Sequence, residues 1–348
     1  MRRNLINIAL IAAICTGCRG LHDDRKNKWQ KPDKDTTDTA TTDDTDDKPT
    51  DTDTDTTTDT DTDTDTTPIP EDCTLPPAPN GWDYLSWVQP SEEFTFDAQG
   101  NLVNIDEVAG WIFETPWGGP AGLIAPYNAT EIAAVRFMLD GDLAVADEAN
   151  GALRRVGLDG AQDTLLGGLN NPNSVAVHSD GFVYTTAFDE VYRVDPSNGA
   201  STRLFRVPGA DLDGLVFSPN FDLLYFNSDE TGQVASIEVD EYGVGGAIDN
   251  LATLSLGWDE QLDGMAMDRC SNLYVIRTDG RVFRIQPDKT VESLIQLTRP
   301  GPLKATSLHF GSGVGGWELD HLYVMNREGG MWELDIGMEG AVPAHLIP

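Results

Sequence analysis

Six positions in the chain invite chemistry: Glu92, Ala133, Asn173, Asp213, Asp263 and Thr306, which follow one another at intervals of 41, 40, 40, 50 and 43 residues. Each stands shortly before an alternating apolar segment, so the six share one place in a repeating unit. Four of them are Glu, Asn, Asp and Asp. Carboxylates brought together repel one another unless a positive charge lies between them. Oxygen donors without Cys or His suit a hard divalent cation such as Ca2+. The pairs Asp213-Gly214 and Asp263-Gly264 would serve equally as turn caps, so the cation reading depends on the fold that carries these residues.

The elements that must position them repeat with the same period. Phe94-Thr95-Phe96-Asp97-Ala98-Gln99-Gly100-Asn101-Leu102 aligns with Val175-Ala176-Val177-His178-Ser179-Asp180-Gly181-Phe182-Val183 and with Met265-Ala266-Met267-Asp268-Arg269-Cys270-Ser271-Asn272-Leu273. Each is a short alternating strand, a polar turn and a second strand. Second strands are expected at 102–105, 143–145, 183–185, 223–226, 273–276 and 322–325, and third strands at 111–113, 153–156, 191–194, 234–239, 282–285 and 331–334. A less regular fourth strand, such as 202–207 or 293–297, leads to the next unit. No segment has a helical apolar period. Four strands per unit at forty-odd residues are the mark of propeller blades. The chain from about residue 82 to 348 is therefore read as an all-β, six-bladed β-propeller. Residues 82–88 and 342–347 are both available to complete the last blade. The innermost strand of each blade lines the central channel, so the six equivalent positions should converge near one end of it.

With Pro172-Asn173-Ser174-Val175-Ala176-Val177, Leu212-Asp213-Gly214-Leu215-Val216-Phe217-Ser218-Pro219 and Leu262-Asp263-Gly264-Met265-Ala266-Met267-Asp268, residues 90–340 resemble the gluconolactonase and senescence-marker-protein (regucalcin) family of lactone hydrolases. The resemblance implies that Glu92, Asp213 and Asp263 hold a divalent ion, most simply Ca2+. It also implies that Asn173 faces substrate or a bound water, and that Asp263 is the general base. Two departures stand out. The family's Glu-Gly-Pro is here Glu92-Glu93-Phe94, and its Asn-Asp is Asn173-Ser174. Bulk at Glu93 and Phe94 is expected to narrow the channel mouth. His178, His309 and His321 are read as structural, and no Gly-x-Ser-x-Gly elbow supports a serine hydrolase.

Upstream, Arg2 and Arg3 precede a mainly apolar stretch too short to span a bilayer, and Thr16-Gly17 lead into Cys18. This order resembles a bacterial lipoprotein signal (residues 1–17) with Cys18 as the lipidated residue, although Cys15 stands where the pattern usually has Leu; an ordinary signal peptide is the alternative. Residues 18–72 form an Asp/Thr-rich linker with no aliphatic side chain between Ala40 and Ile69, so it is expected to be disordered. The propeller domain is assigned to residues 73–348. Its 40 acidic residues against 14 Lys and Arg, within a chain of net charge −35, make nucleic acid an unfavourable partner. Cys73 and Cys270 remain as a candidate disulfide in an oxidising compartment.

Two functions follow. One is a divalent-metal-dependent hydrolase of lactones or related esters, a monomer held at the bacterial cell envelope, on the outer membrane, by its lipid alone. The other is a non-catalytic propeller, braced by its cation, that binds a protein or glycan. The extra length at 243–257 is expected to form a loop over the cation end.

Overall fold

The computed structural model describes residues 72–106, 110–127, 131–240, 243 and 245–347. The expected signal (1–17), Cys18 and all but the last residue of the linker (18–72) lie outside them. The described residues form six four-stranded antiparallel sheets. Blade 1 is β2 (Phe94–Phe96), β3 (Leu102–Asp106), β4 (Trp111–Thr115) and β5 (Gly122–Pro126), and blade 2 is β6 (Ile132–Phe137), β7 (Leu143–Asp147), β8 (Ala152–Val156) and β9 (Gln162–Gly167). Blade 3 contains β10 (Pro172–Val177), β11 (Val183–Ala187), β12 (Glu190–Val194) and β13 (Ser201–Arg206), and blade 4 contains β14 (Leu212–Phe217), β15 (Leu223–Ser228), β16 (Gln233–Glu238) and β17 (Gly245–Thr253). Blade 5 runs β18 (Leu262–Met267), β19 (Leu273–Arg277), β20 (Arg281–Ile285), β21 (Val291–Gln296). Blade 6 combines β22 (Ala305–Phe310), β23 (His321–Asn326) and β24 (Met331–Asp335) with β1 (Asp83–Leu85), the first strand of the ring.

Period-two alternation explains the core. Val175 and Val177 pack against blade 2, whereas Ala176, between them, faces blade 4. Met265 and Met267 face blade 4 while Ala266 faces blade 6. One buried apolar cluster lies between each pair of neighbouring blades, as expected when successive side chains point to opposite faces.

Ring closure uses the N-terminal segment. Tyr84 of β1 pairs with Trp332 of β24, and their rings meet edge-on at 5.5 Å. The C-terminal residues do not complete the blade. They form a strap ending in a 3-10 turn (Ala344–Leu346) across the far end of the channel, where the His345 ring Nε2 lies 2.7 Å from the Phe96 carbonyl. The length at 243–257 is not mainly a loop over the cation end: most of it forms β17, a nine-residue outermost strand. Only residues 254–261 remain as the connection into β18, with Trp258 fully exposed on it.

Cys73 and Cys270 form a disulfide, with Cα atoms 5.6 Å apart. Beside it Arg269 meets Asp72 at 2.9 Å. Cys270 follows the C-terminal end of β18, so the bridge lies at the end of the channel away from Asp263. It closes a loop of 197 residues, and the loss of a native disulfide typically costs about 2–5 kcal/mol. Cys270→Ser is expected to lower the urea midpoint accordingly, and to release the segment before β1 to proteolysis. An unchanged midpoint would show that β1 holds the ring closed unaided.

A candidate cation site on the channel axis

Five of the six innermost strands break register with their partners near their N-terminal ends, β2 being regular. The irregularities fall between Ile132 and Ala134, Pro172 and Val175, Leu212 and Leu215, Leu262 and Met265, and Ala305 and Leu308. A bulge leaves a residue out of the ladder and re-aims its side chain. The candidate positions Ala133, Asn173, Asp213, Asp263 and Thr306 fall inside these intervals, and Glu92 lies two residues before β2. The Asp-Gly pairs are thus not turn caps but bulges within strands. Their glycines answer to close approach: a Cβ on Gly214 would lie 2.9 Å from the Asp263 carbonyl oxygen, and one on Gly264 would lie 2.8 Å from Ser307 Cα.

Glu92, Ala133, Asn173, Asp213 and Asp263 line one axial cavity of about 10 Å3, room for roughly one water. Thr306 is not among its walls; fully buried, its hydroxyl donates to the Glu92 carbonyl oxygen at 2.7 Å. Glu92 itself is engaged by Arg327, Nε to Oε2 at 2.8 Å. Among the described residues, no three His, Cys, Asp or Glu side chains are set to hold a metal ion as they stand. The electrostatics are those of an acidic pocket. Burial, then Asp229 and Glu92, push the Asp213 carboxyl well above its ordinary range. Burial, then Asp213 and Glu92, do the same for Asp263, opposed by Lys304. Two mutually repelling carboxylates beside the Asn173 amide are a donor set that fits a hard divalent ion, with Glu92 available as a third carboxylate on leaving Arg327.

Just inside this cavity lies a group that the repeat alignment did not single out. Arg136 Nη2 meets Glu93 Oε2 at 2.9 Å, and His309 Nε2 lies 2.9 Å from Glu93 Oε1. Burial alone would raise the Glu93 carboxyl, but Arg136 and His309 outweigh it and hold it down at about 2. Glu93 therefore lies in the channel, just inside the cavity, but Phe94 does not crowd the mouth. Phe94 is fully buried between blades 1 and 6, with its ring 5.6 Å from Phe96. His178 and His321 have structural partners, the Phe221 carbonyl and Glu333; His309, in contrast, lies at the axis.

Sequence reasoning also missed Asn227, Asp229 and Arg327. Asn227, fully buried on β15 opposite the bulge, accepts from Gly214 N at 2.9 Å and donates to the Asp263 carbonyl at 2.6 Å, tying blade 4 to blade 5. Its signal is a polar residue interrupting an apolar second strand, Leu224-Tyr225-Phe226-Asn227; Thr186 does the same in blade 3, accepting from Ser174 N at 2.8 Å. Asp229 and Arg327 follow the ends of second strands, where no period marks them.

Fold and site together define a six-bladed propeller with an acidic pocket on its axis. Residues 115–327, more than half of the chain, match the SMP-30/gluconolactonase/LRE-like region, and the chain belongs to that family. A gluconolactonase from Xanthomonas campestris is 20% identical and covers 77% of this chain and 97% of its own, with a TM-score of 0.62. A calcium-binding protein, regucalcin, from Agrobacterium tumefaciens is 18% identical over 77% of this chain and 96% of its own, with a TM-score of 0.58. Virginiamycin B lyase from Staphylococcus aureus is 11% identical over 73% and 98%, at 0.52. At these identities the likeness is one of fold. No curated protein sequence matches the chain significantly.

The raised carboxyls set a pH dependence. With folded values above the unfolded 3.8, the folded protein keeps protons that the unfolded chain releases. The contribution of Asp213 and Asp263 to stability is therefore fullest below that value and is lost as pH rises through the folded values. A divalent cation favours the ionised forms, so calcium should raise the Tm more at pH 8 than at pH 5; at a hundred times its Kd for a given pH it stabilises the fold by about 2.7 kcal/mol. Calorimetry with calcium or chelator at both pH values checks this, and an equal gain at both would contradict it. Separately, Asn227→Ala leaves two buried backbone groups unpaired and should cost about 2–4 kcal/mol in a denaturant titration.

Proposed function

We propose that the protein is a divalent-metal-dependent hydrolase of lactones or related carboxylic esters. The observation that carries this reading is the pair of mutually repelling carboxylates, buried Asp213 and half-buried Asp263, at the axis of a member of a gluconolactonase-type family. Asp213, Asp263 and Asn173 would hold the ion, with Glu92 exchanging Arg327 for it; all-oxygen donors favour Ca2+. When bound, such an ion polarises an ester carbonyl and lowers the pKa of a water. Asp263 is then held ionised and accepts the proton of the attacking water. Asn173, on the wall between Ala133 and Asp213, offers an amide to orient the ring oxygen or hydroxyls of the substrate. Arg327 and Lys304 place positive charge near the carboxylates and favour the developing negative charge of the cleaved ester.

A second reading has its own support. The Glu92–Arg327 pair and the Glu93–Arg136–His309 group fill the axis with protein-to-protein contacts, as a cation-braced binding module would. Hydrolysis of a panel of aldonolactones and aryl esters separates the two. Turnover that chelator abolishes and calcium restores, and that falls at least about 100-fold in Asp263→Asn, is the result expected of the enzyme. No turnover by a protein that still binds one calcium, lost in Asp213→Asn, would establish the bracing role.

Localisation belongs to the same proposal. The Cys73–Cys270 disulfide supports export to an oxidising compartment, and the sequence before it supports lipid attachment at Cys18, with a monomeric propeller carried outside the inner membrane. Cys18→Ala is expected to move the protein from the membrane fraction to the soluble fraction. Membrane retention of that variant would rule out the anchor.

A further inference from the structure

A second cavity, of about 120 Å3, lies at the other end of the channel, at the C-terminal ends of the innermost strands. We propose that it is a binding site for an uncharged, single-ring phenol, distinct from the candidate cation site. Its size is close to the roughly 150 Å3 of an apolar protein cavity that takes up benzene. Its walls are largely apolar and aromatic, including Phe96, Phe137, Phe217, Phe310, Met265 and Met267. The C-terminal strap forms one side, held by Ala341 N donating to the Met267 carbonyl at 2.9 Å and by His345 at Phe96.

The polar groups on the wall define what the occupant must offer. Arg136 lines both cavities, but its charge is met by Glu93 at 2.9 Å. An anionic ligand would have to displace that buried carboxylate, so a neutral one is favoured. His309 presents Nε2 to Glu93 Oε1, and His345 presents Nε2 to the Phe96 carbonyl. Both partners are acceptors, so both Nε2 atoms carry the proton and both Nδ1 atoms are left as acceptors. Among the described residues neither Nδ1 receives a hydrogen bond. Burial lowers the pKa of both rings and keeps them neutral near pH 7. A ligand for this wall therefore combines an aromatic ring with a hydrogen-bond donor, and a phenol hydroxyl supplies it. The metal chemistry at the opposite end requires none of these groups.

Fluorine NMR of the full chain with 4-fluorophenol, fluorobenzene and 4-fluorobenzoate tests the assignment. The phenol should bind saturably at one site, about 10-fold tighter than fluorobenzene, the factor expected of one hydrogen bond of roughly 1.4 kcal/mol. 4-Fluorobenzoate should not bind. Ala344→Phe, which pushes a ring into the space from the strap, should weaken both neutral ligands. His345→Leu, at a half-buried position that leaves the blades untouched, should reduce the preference for the phenol over fluorobenzene. The proposal is overturned by the absence of saturable phenol binding, by benzoate binding as tightly as the phenol, or by a phenol preference unchanged in His345→Leu. Phenol binding unchanged in a folded Ala344→Phe would place it elsewhere and overturn the site equally.

Discussion

A blade has two apolar faces, and a stack of blades has no exposed face only when the last meets the first. Here that meeting rests on β1, which contributes just three paired residues to blade 6. The blade 6–blade 1 boundary compensates with bulk. Trp317, fully buried, stands 5.1 Å from Phe96, 4.8 Å from Trp117 and 5.0 Å from Tyr323 between ring centroids. Such aromatic contacts bury large areas and prefer the tilted and edge-on geometries seen. The disulfide then fixes the segment that precedes β1 to blade 5, a blade beyond the one it completes. Closure thus combines a short ladder, a large aromatic interface and one covalent link, and every axial distance depends on it.

Closure brings the innermost strands so near one another that side chains at the crowded points cannot be accommodated. Gly214 and Gly264 mark two of these points, each beside a neighbouring blade's backbone. The bulges that rotate Asp213 and Asp263 toward the axis occur at the same positions. Asn227 secures one of them by pairing with the backbone on both sides of the blade boundary. Tight approach, bulge and carboxylate are therefore one feature: the strand irregularity that lets the ring close also delivers the acids to its centre.

This is why so much of the fold was legible. The alternation of Val175-Ala176-Val177 or Met265-Ala266-Met267 states which face meets which neighbour, and a fixed period states that the faces recur. The six-bladed propeller and the convergence of Glu92, Asn173, Asp213 and Asp263 followed from those patterns. What they left open lacks a period. The choice of 82–88 over 342–347 for closure depends on one short ladder, Asp83–Leu85 against Met331–Glu333. The Arg327 partner of Glu92 lies past the end of a second strand and is distant in sequence, so only coordinates bring the two together. Phe94 was expected at the mouth alongside its neighbour Glu93; successive residues face opposite ways, and while Glu93 points into the channel Phe94 packs between blades.

Glu93 shows most clearly how the channel is partitioned. Toward one end lie Asp213 and Asp263, carboxylates raised by burial and by each other. Toward the other lies a cavity walled mainly by phenylalanine and methionine. A lone carboxylate between them would add to the repulsion at the first and expose a charge to the second. Paired with Arg136 and His309 it does neither, because the group as a whole is neutral: an ionised Glu93, a cationic Arg136 and an imidazole that burial holds uncharged. Glu93, with Arg136 and His309 to meet it, separates a polar end suited to a cation from an apolar end suited to a neutral ring, and does so with three side chains from three different blades.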